Sequence, residues 1–162
     1  MPSCLKFLAN RLLLAIVIFF SSTLWANAQL FEPMLDISKG VSRPHSSQTF
    51  DVNGDGLKDI VCASPGDGKI VWYENEGNKV FSDHQTLIKN VYEVRRIFSV
   101  DVNNDSLLDI VAQYSDKVSL YQNLGNTNFS SEIVIKANEH RLETIFVADI
   151  NNDNRKDLLL GL

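Results

Sequence analysis

Three short segments of this sequence carry the side chains a hard cation needs. They read DVNGDGLKDIV at 51–61, DVNNDSLLDIV at 101–111 and DINNDNRKDLL at 149–159. Counted from the first Asp, positions 1, 3, 5 and 9 bear oxygen in every copy. They are Asp51, Asn53, Asp55 and Asp59 in the first loop, and Asp101, Asn103, Asp105 and Asp109 in the second. The third has Asp149, Asn151, Asp153 and Asp157. Calcium takes about six to eight oxygen ligands, and a tight turn supplies several when alternate side chains point inward. The backbone carbonyl of position 7 (Leu57, Leu107 or Arg155) adds another oxygen, and water completes the shell. Each loop holds three carboxylates and repels itself without a cation. Polar β-turns use the same residue types, but three copies with acids at the same spacing favour a metal site. Gly54 and Gly56 allow a sharp turn. At position 6 the second loop has Ser106 and the third Asn154, and Ser tolerates a left-handed backbone less well than Asn. The first loop is therefore expected to be the best site and the second the least favourable.

A helix-loop-helix calcium site starts with the same residues but ends on a carboxylate at position 12. Position 12 here is Cys62, Ala112 and Leu160, apolar each time, and β-forming residues follow the ninth-position Asp. The elements that hold these loops must therefore be strands. The repeat extends well past the loops. Trp72-Tyr73-Glu74-Asn75-Glu76-Gly77-Asn78 aligns with Leu120-Tyr121-Gln122-Asn123-Leu124-Gly125-Asn126, and Phe81 aligns with Phe129. The first Asp residues are 50 and then 48 positions apart. Each unit reads as an apolar strand before the loop, an aliphatic strand after it and a variable turn. An alternating strand follows (Lys69–Glu74 or Lys117–Gln122), then an Asn-x-Gly turn and a closing strand of about Val80–Ile88 or Phe129–Ile135. Four strands in about 50 residues, repeated, describe a propeller blade. The fold class expected is all-β, a β-propeller of four-stranded blades present as about two and a half blades of an incomplete ring.

Apolar residues make up 44% of the 162, which suits a globular chain. Residues 1–28 read as an export signal. Lys6 and Arg11 precede the apolar run Leu12–Phe20, and Ala26-Asn27-Ala28 places cleavage before Gln29. The nine-residue run is under half of the roughly 20 residues a membrane span needs, so no span is expected after cleavage. Residues 29–162 then carry a formal charge of −7, which argues against nucleic acid or anionic lipid as a partner. Cys62 is left without an internal disulfide partner and reads as a small core residue. His45, His84 and His140 are isolated, and no nucleophile–base pair is legible, so an enzyme is not expected.

The loop, the Trp-Tyr-Glu-Asn-Glu-Gly-Asn strand end and the following Phe together closely resemble the VCBS/FG-GAP repeat, the calcium-loop blade also found in the integrin α-subunit propeller. The resemblance covers about Val41 to Leu162. The Phe-Gly and Gly-Ala-Pro signatures of the integrin form are absent, so the likeness is closer to the bacterial type. It implies Ca2+ bound by the twelve side chains named above and a ring of about seven blades. It also implies a module that is secreted, periplasmic or at the cell surface, used for adhesion or ligand binding, with a carbohydrate or extracellular protein as partner. A ring needs at least about four blades to close, so the chain is expected to continue into further blades, or else to complete a ring by self-assembly. The alternative is a non-catalytic scaffold of a larger extracellular enzyme such as a polysaccharide lyase.

Overall fold

The structure, a computed structural model, describes residues 35–37, 40–138 and 142–161. The expected signal at 1–28, His140 and the final Leu162 lie outside the described residues. The chain divides after Leu35, and the architecture below is that of the second unit alone.

The first blade is built from β1 (Ser46–Phe50), β2 (Asp59–Ser64), β3 (Lys69–Tyr73), β4 (Asn75–Gly77), β5 (Val80–Phe81) and β6 (Gln85–Lys89). Its sheet runs β1-β2-β3-β6 with antiparallel neighbours, while β4 and β5 form a small separate ribbon. The second blade has β7 (Arg96–Val100), β8 (Asp109–Gln113), β9 (Lys117–Tyr121) and β10 (Ile133–Ala137), paired in the same sequence order. β11 (Thr144–Ala148) and β12 (Asp157–Gly161) form a third, two-stranded sheet. These β-branched and aliphatic runs are strand formers, and the described residues contain no helix. The result is a partial β-propeller of two four-stranded blades and half of a third.

Alternation along the strands gives each blade two apolar faces. From the first blade, Val61, Ala63, Ile70 and Trp72 join Ile97, Ile110, Ala112 and Tyr121 of the second in one buried cluster. Cys62, Val71 and Tyr73 turn to the other face and pack with Ile37, Val41 and Phe81. Trp72 and Tyr73 are both buried, one on each face. A further cluster of Val111, Val118, Leu142 and Ile145, flanked by Leu158 and Leu160, joins the second and third blades. The first strands of adjacent blades lie side by side. The Ile97 amide donates to Ser46 Oγ at 3.2 Å, and Ser99 Oγ donates to Gln48 Oε1 at 3.4 Å. Cys62 is buried and unpaired, and burial raises its thiol pKa, as a core residue requires.

The closing strand differs from expectation. It is not continuous over Val80–Ile88 but breaks between β5 and β6 at Ser82–His84. In the second blade it starts at Ile133, and only a bridge from Asn123 to Phe129 precedes it. Ser82 causes the break by bonding back across the ribbon. Its amide donates to the Glu74 carbonyl at 2.9 Å, and its Oγ accepts from the Glu74 amide at 3.0 Å. Ser130 does the same to Gln122. The Asn-x-Gly turn is also longer than read. Gly77, Asn78 and Lys79 are all left-handed, as are Gly125, Asn126 and Thr127.

Candidate metal centres

Each acidic segment is the hairpin loop between the first and second strands of a blade. Phe50 stands opposite Asp59, Val100 opposite Asp109 and Ala148 opposite Asp157, so the three loops have the same length. The sheet order places all three at the same end of their hairpins. A hydrogen bond from Asn104 Nδ2 to the Asn154 carbonyl, 3.3 Å, joins the second loop to the third.

The backbone winds the same way in all three. Positions 4 and 6 are left-handed: Gly54 and Gly56, Asn104 and Ser106, Asn152 and Asn154. Position 6 was expected, and position 4 was noted only for Gly54; Asn at that place in the other loops is the residue that best tolerates such a backbone after Gly. Ser106 adopts φ 71° and does not change the course of its loop. This winding turns successive amides onto the first Asp. Asp55 N donates to Asp51 Oδ1 at 3.2 Å and Gly56 N to Asp51 Oδ2 at 2.8 Å. Asp101 receives Asp105 N and Ser106 N, and Asp149 receives Asp153 N and Asn154 N. The position-3 amide oxygen accepts from position 5: Asn53 from Asp55 N at 3.0 Å, Asn103 from Asp105 N at 3.1 Å, Asn151 from Asp153 N at 2.9 Å. The position-5 acid in turn receives the amide of position 7: Leu57, Leu107 or Arg155. The side chains of positions 1, 3 and 5 are thereby gathered in each loop.

Position 9 is set apart. Asp59 is fully buried at the start of β2 and accepts Val52 N at 2.9 Å and Asn75 N at 2.8 Å, one on each oxygen. Asp109 does the same with Val102 N at 3.0 Å and Asn123 N at 2.8 Å. Asp157 is half-buried and accepts Ile150 N at 2.9 Å. Sequence reading treated the four positions as equivalent ligands and missed this clamp. The missed partners are Asn75 and Asn123. Besides donating its amide to Asp59, Asn75 donates Nδ2 to the Lys58 carbonyl and accepts Gly77 N on Oδ1. Asn123 repeats all three bonds with Asp109, Leu108 and Gly125. The signal was in the sequence, as the Asn-x-Gly shared by both blades, but it read as a turn.

Among the described residues no three His, Cys, Asp or Glu side chains converge as a metal-holding group. The oxygens gathered at the loop are those of two carboxylates and one amide, with the position-9 acid behind them. This set still suits a hard, oxygen-seeking cation. A carboxylate offers about four lone-pair sites, so an oxygen that accepts one N–H retains capacity, whereas Asp51 Oδ1 accepts both Gly54 N at 2.6 Å and Asp55 N at 3.2 Å. No Lys or Arg forms an ion pair with a loop acid among the described residues. Burial raises the Asp59 pKa; the N–H groups of Asn75 and Val52 oppose this, and the charges of Asp55 and Asp51 add to it. Asp109 is raised in the same way by burial, against Val102 and Asn123, and with Asp105 and Asp101.

A raised folded-state pKa gives stability that is complete below the ordinary value of 3.8 and is lost as pH rises through the folded value. In calcium-free buffer the wild type should therefore gain stability relative to Asp59→Asn as pH falls from about 7 toward about 4. Urea unfolding of both proteins across that range measures the difference. Calcium should reverse the trend, because it needs the ionised form.

The other titratable groups singled out in the sequence lie elsewhere. His84 packs against the Tyr73 ring, 6.1 Å between centroids, and His45 donates its backbone amide to the Ala63 carbonyl.

Stacked four-stranded antiparallel sheets, each entered through an acidic hairpin loop, define the blades of a repeat-built β-propeller. A family model described as an FG-GAP-like repeat matches residues 51–112 and again residues 101–160, together more than half of the chain. The chain belongs to the FG-GAP-like repeat family. The match is to the repeat itself and adds nothing specific to the integrin form. No curated protein matches the chain.

Proposed function

We propose that this chain is an exported, calcium-binding β-propeller module that binds a carbohydrate or another extracellular protein, with the metal in a structural role. The observation that carries the reading is the recurrence of one loop framework three times. Left-handed positions 4 and 6, paired amides on the first Asp and the position-3 amide oxygen turned onto position 5 recur despite different residues at positions 6 to 8. Clustered carboxylates destabilise a loop unless a cation joins them. A cation there would tie the first strand of a blade to the second. Asp51, Asn53, Asp55 and Asp59 would hold it in the first loop, with Asp101, Asn103, Asp105 and Asp109 in the second. Asp149, Asn151, Asp153 and Asp157 would do so in the third, and the carbonyls of Leu57, Leu107 and Arg155 would assist. The role is binding rather than catalysis, since the acids are committed to the loops and to backbone clamps.

Calorimetric titration of the full chain with calcium tests this reading. Saturable binding is expected with dissociation constants of about 10⁻⁴–10⁻³ M, as for extracellular modules. Magnesium should bind more weakly, because it demands a smaller octahedral shell. Absence of saturable calcium binding at about 10 mM would overturn it.

A further inference from the structure

We propose that Glu74 makes the first loop the tightest cation site by fixing the Asn53 amide and adding a fourth carboxylate beside the loop. The inference rests on the calcium reading above. Asn53 Nδ2 donates to Glu74 Oε1 at 2.9 Å and to Asp55 Oδ2 at 3.1 Å. Both amide hydrogens are therefore engaged, and Oδ1 is held toward the loop, where it accepts Asp55 N at 3.0 Å. A flip of this amide would present N–H groups to the cation in place of oxygen. In the other loops one such bond holds the amide among the described residues, from Asn103 Nδ2 to Asp105 Oδ2 at 2.8 Å and from Asn151 Nδ2 to Asp153 Oδ2 at 3.1 Å. Asn53 is half-buried, whereas Asn103 and Asn151 are exposed.

The second blade supplies an internal comparison. Gln122 stands where Glu74 stands, and its backbone is pinned in the same way. Ser82 Oγ accepts the Glu74 amide at 3.0 Å, and Ser130 Oγ accepts the Gln122 amide at 2.9 Å. The two side chains therefore leave equivalent backbone positions. Glu74 reaches the loop amide and carries a charge. Gln122 is neutral, and no hydrogen bond joins it to Asn103 among the described residues. A cation in the first loop would feel the charge of Glu74, which bonds to Asn53, in addition to those of Asp51, Asp55 and Asp59, whereas the second loop offers three aspartates and a neutral Gln122.

Reciprocal exchange tests this in the full chain. Calcium is titrated while the amide resonances of Gly56 and Ser106 report the first and second loops separately. In the wild type the Gly56 signal should saturate at lower calcium than the Ser106 signal. Glu74→Gln keeps an acceptor for Asn53 but removes the charge, and should weaken the first loop about threefold to tenfold. Glu74→Ala removes both and should weaken it further. Gln122→Glu should strengthen the second loop by a similar factor. Melting of Glu74→Gln in calcium-free buffer should not fall below that of the wild type, because one repelling charge is removed, and this separates a metal-positioning role from a structural one. Saturation of both wild-type loops together, with no shift in Glu74→Gln, overturns the inference and leaves calcium binding standing. Failure of both signals to respond to calcium overturns the calcium reading and this inference with it.

Discussion

Asp109→Ala is expected to cost about 3 kcal/mol of unfolding free energy with no calcium present, because it strands one buried and one part-buried backbone donor at about 1–3 kcal/mol each. The carboxylate is fully buried and is the acceptor for Val102 N in the loop and Asn123 N beyond β9. Deleting it releases the loop from the ribbon end in one step. Asp109→Asn should cost much less, about 1 kcal/mol, since the amide keeps one acceptor and sheds a charge whose burial is unfavourable. Asp157→Ala should also cost about 1 kcal/mol, because that residue is half-buried and receives a single amide among the described bonds. Urea unfolding in calcium-free buffer gives all three values. A loss below about 0.5 kcal/mol for Asp109→Ala would mean that the clamp is not formed in solution.

Trp72→Ala is expected to cost about 3–5 kcal/mol, the range for deleting a large buried aromatic side chain. Trp72 lies on β3, opposite Val61 on one side and Gln85 on the other, and is only 3% exposed. Its ring belongs to the cluster that joins the first two blades through Phe50, Ile97 and Tyr121. The loss is a large part of the roughly 5–15 kcal/mol that stabilises an ordinary domain. Thermal melting should show a fall of roughly 10–20 °C. A fall of only about 2 °C would show that the blades do not share this core in solution.

Much of the fold was legible because each strand carries its own local pattern. The aliphatic run after each loop, the alternating Lys69–Tyr73 and Lys117–Tyr121 strands and the loop lengths all follow from residue type. The closing strand was misread because its break is made by a side chain. Ser82 and Ser130 bond to a backbone eight residues earlier, and no periodicity in the strand itself announces that. The loops were legible as cation-type turns, down to positions 1, 3 and 5. The distinct role of Asp59 and Asp109 was not. It depends on amides of Asn75 and Asn123, 16 and 14 residues away, brought in by the turn of the sheet. The concern over Ser106 also had a physical limit. Three amides converging on Asp101 and Asp105 outweigh the preference of one residue for a right-handed backbone.

Calcium-dependent melting of the full chain tests the central claim most directly. At about 10 mM calcium and a dissociation constant of about 10⁻⁴–10⁻³ M, each occupied loop adds about 1.4–2.7 kcal/mol. With more than one loop occupied, the melting temperature in calcium should exceed that in chelator by at least about 5 °C, and magnesium should give a smaller rise. Identical melting curves in calcium and in chelator would contradict the account.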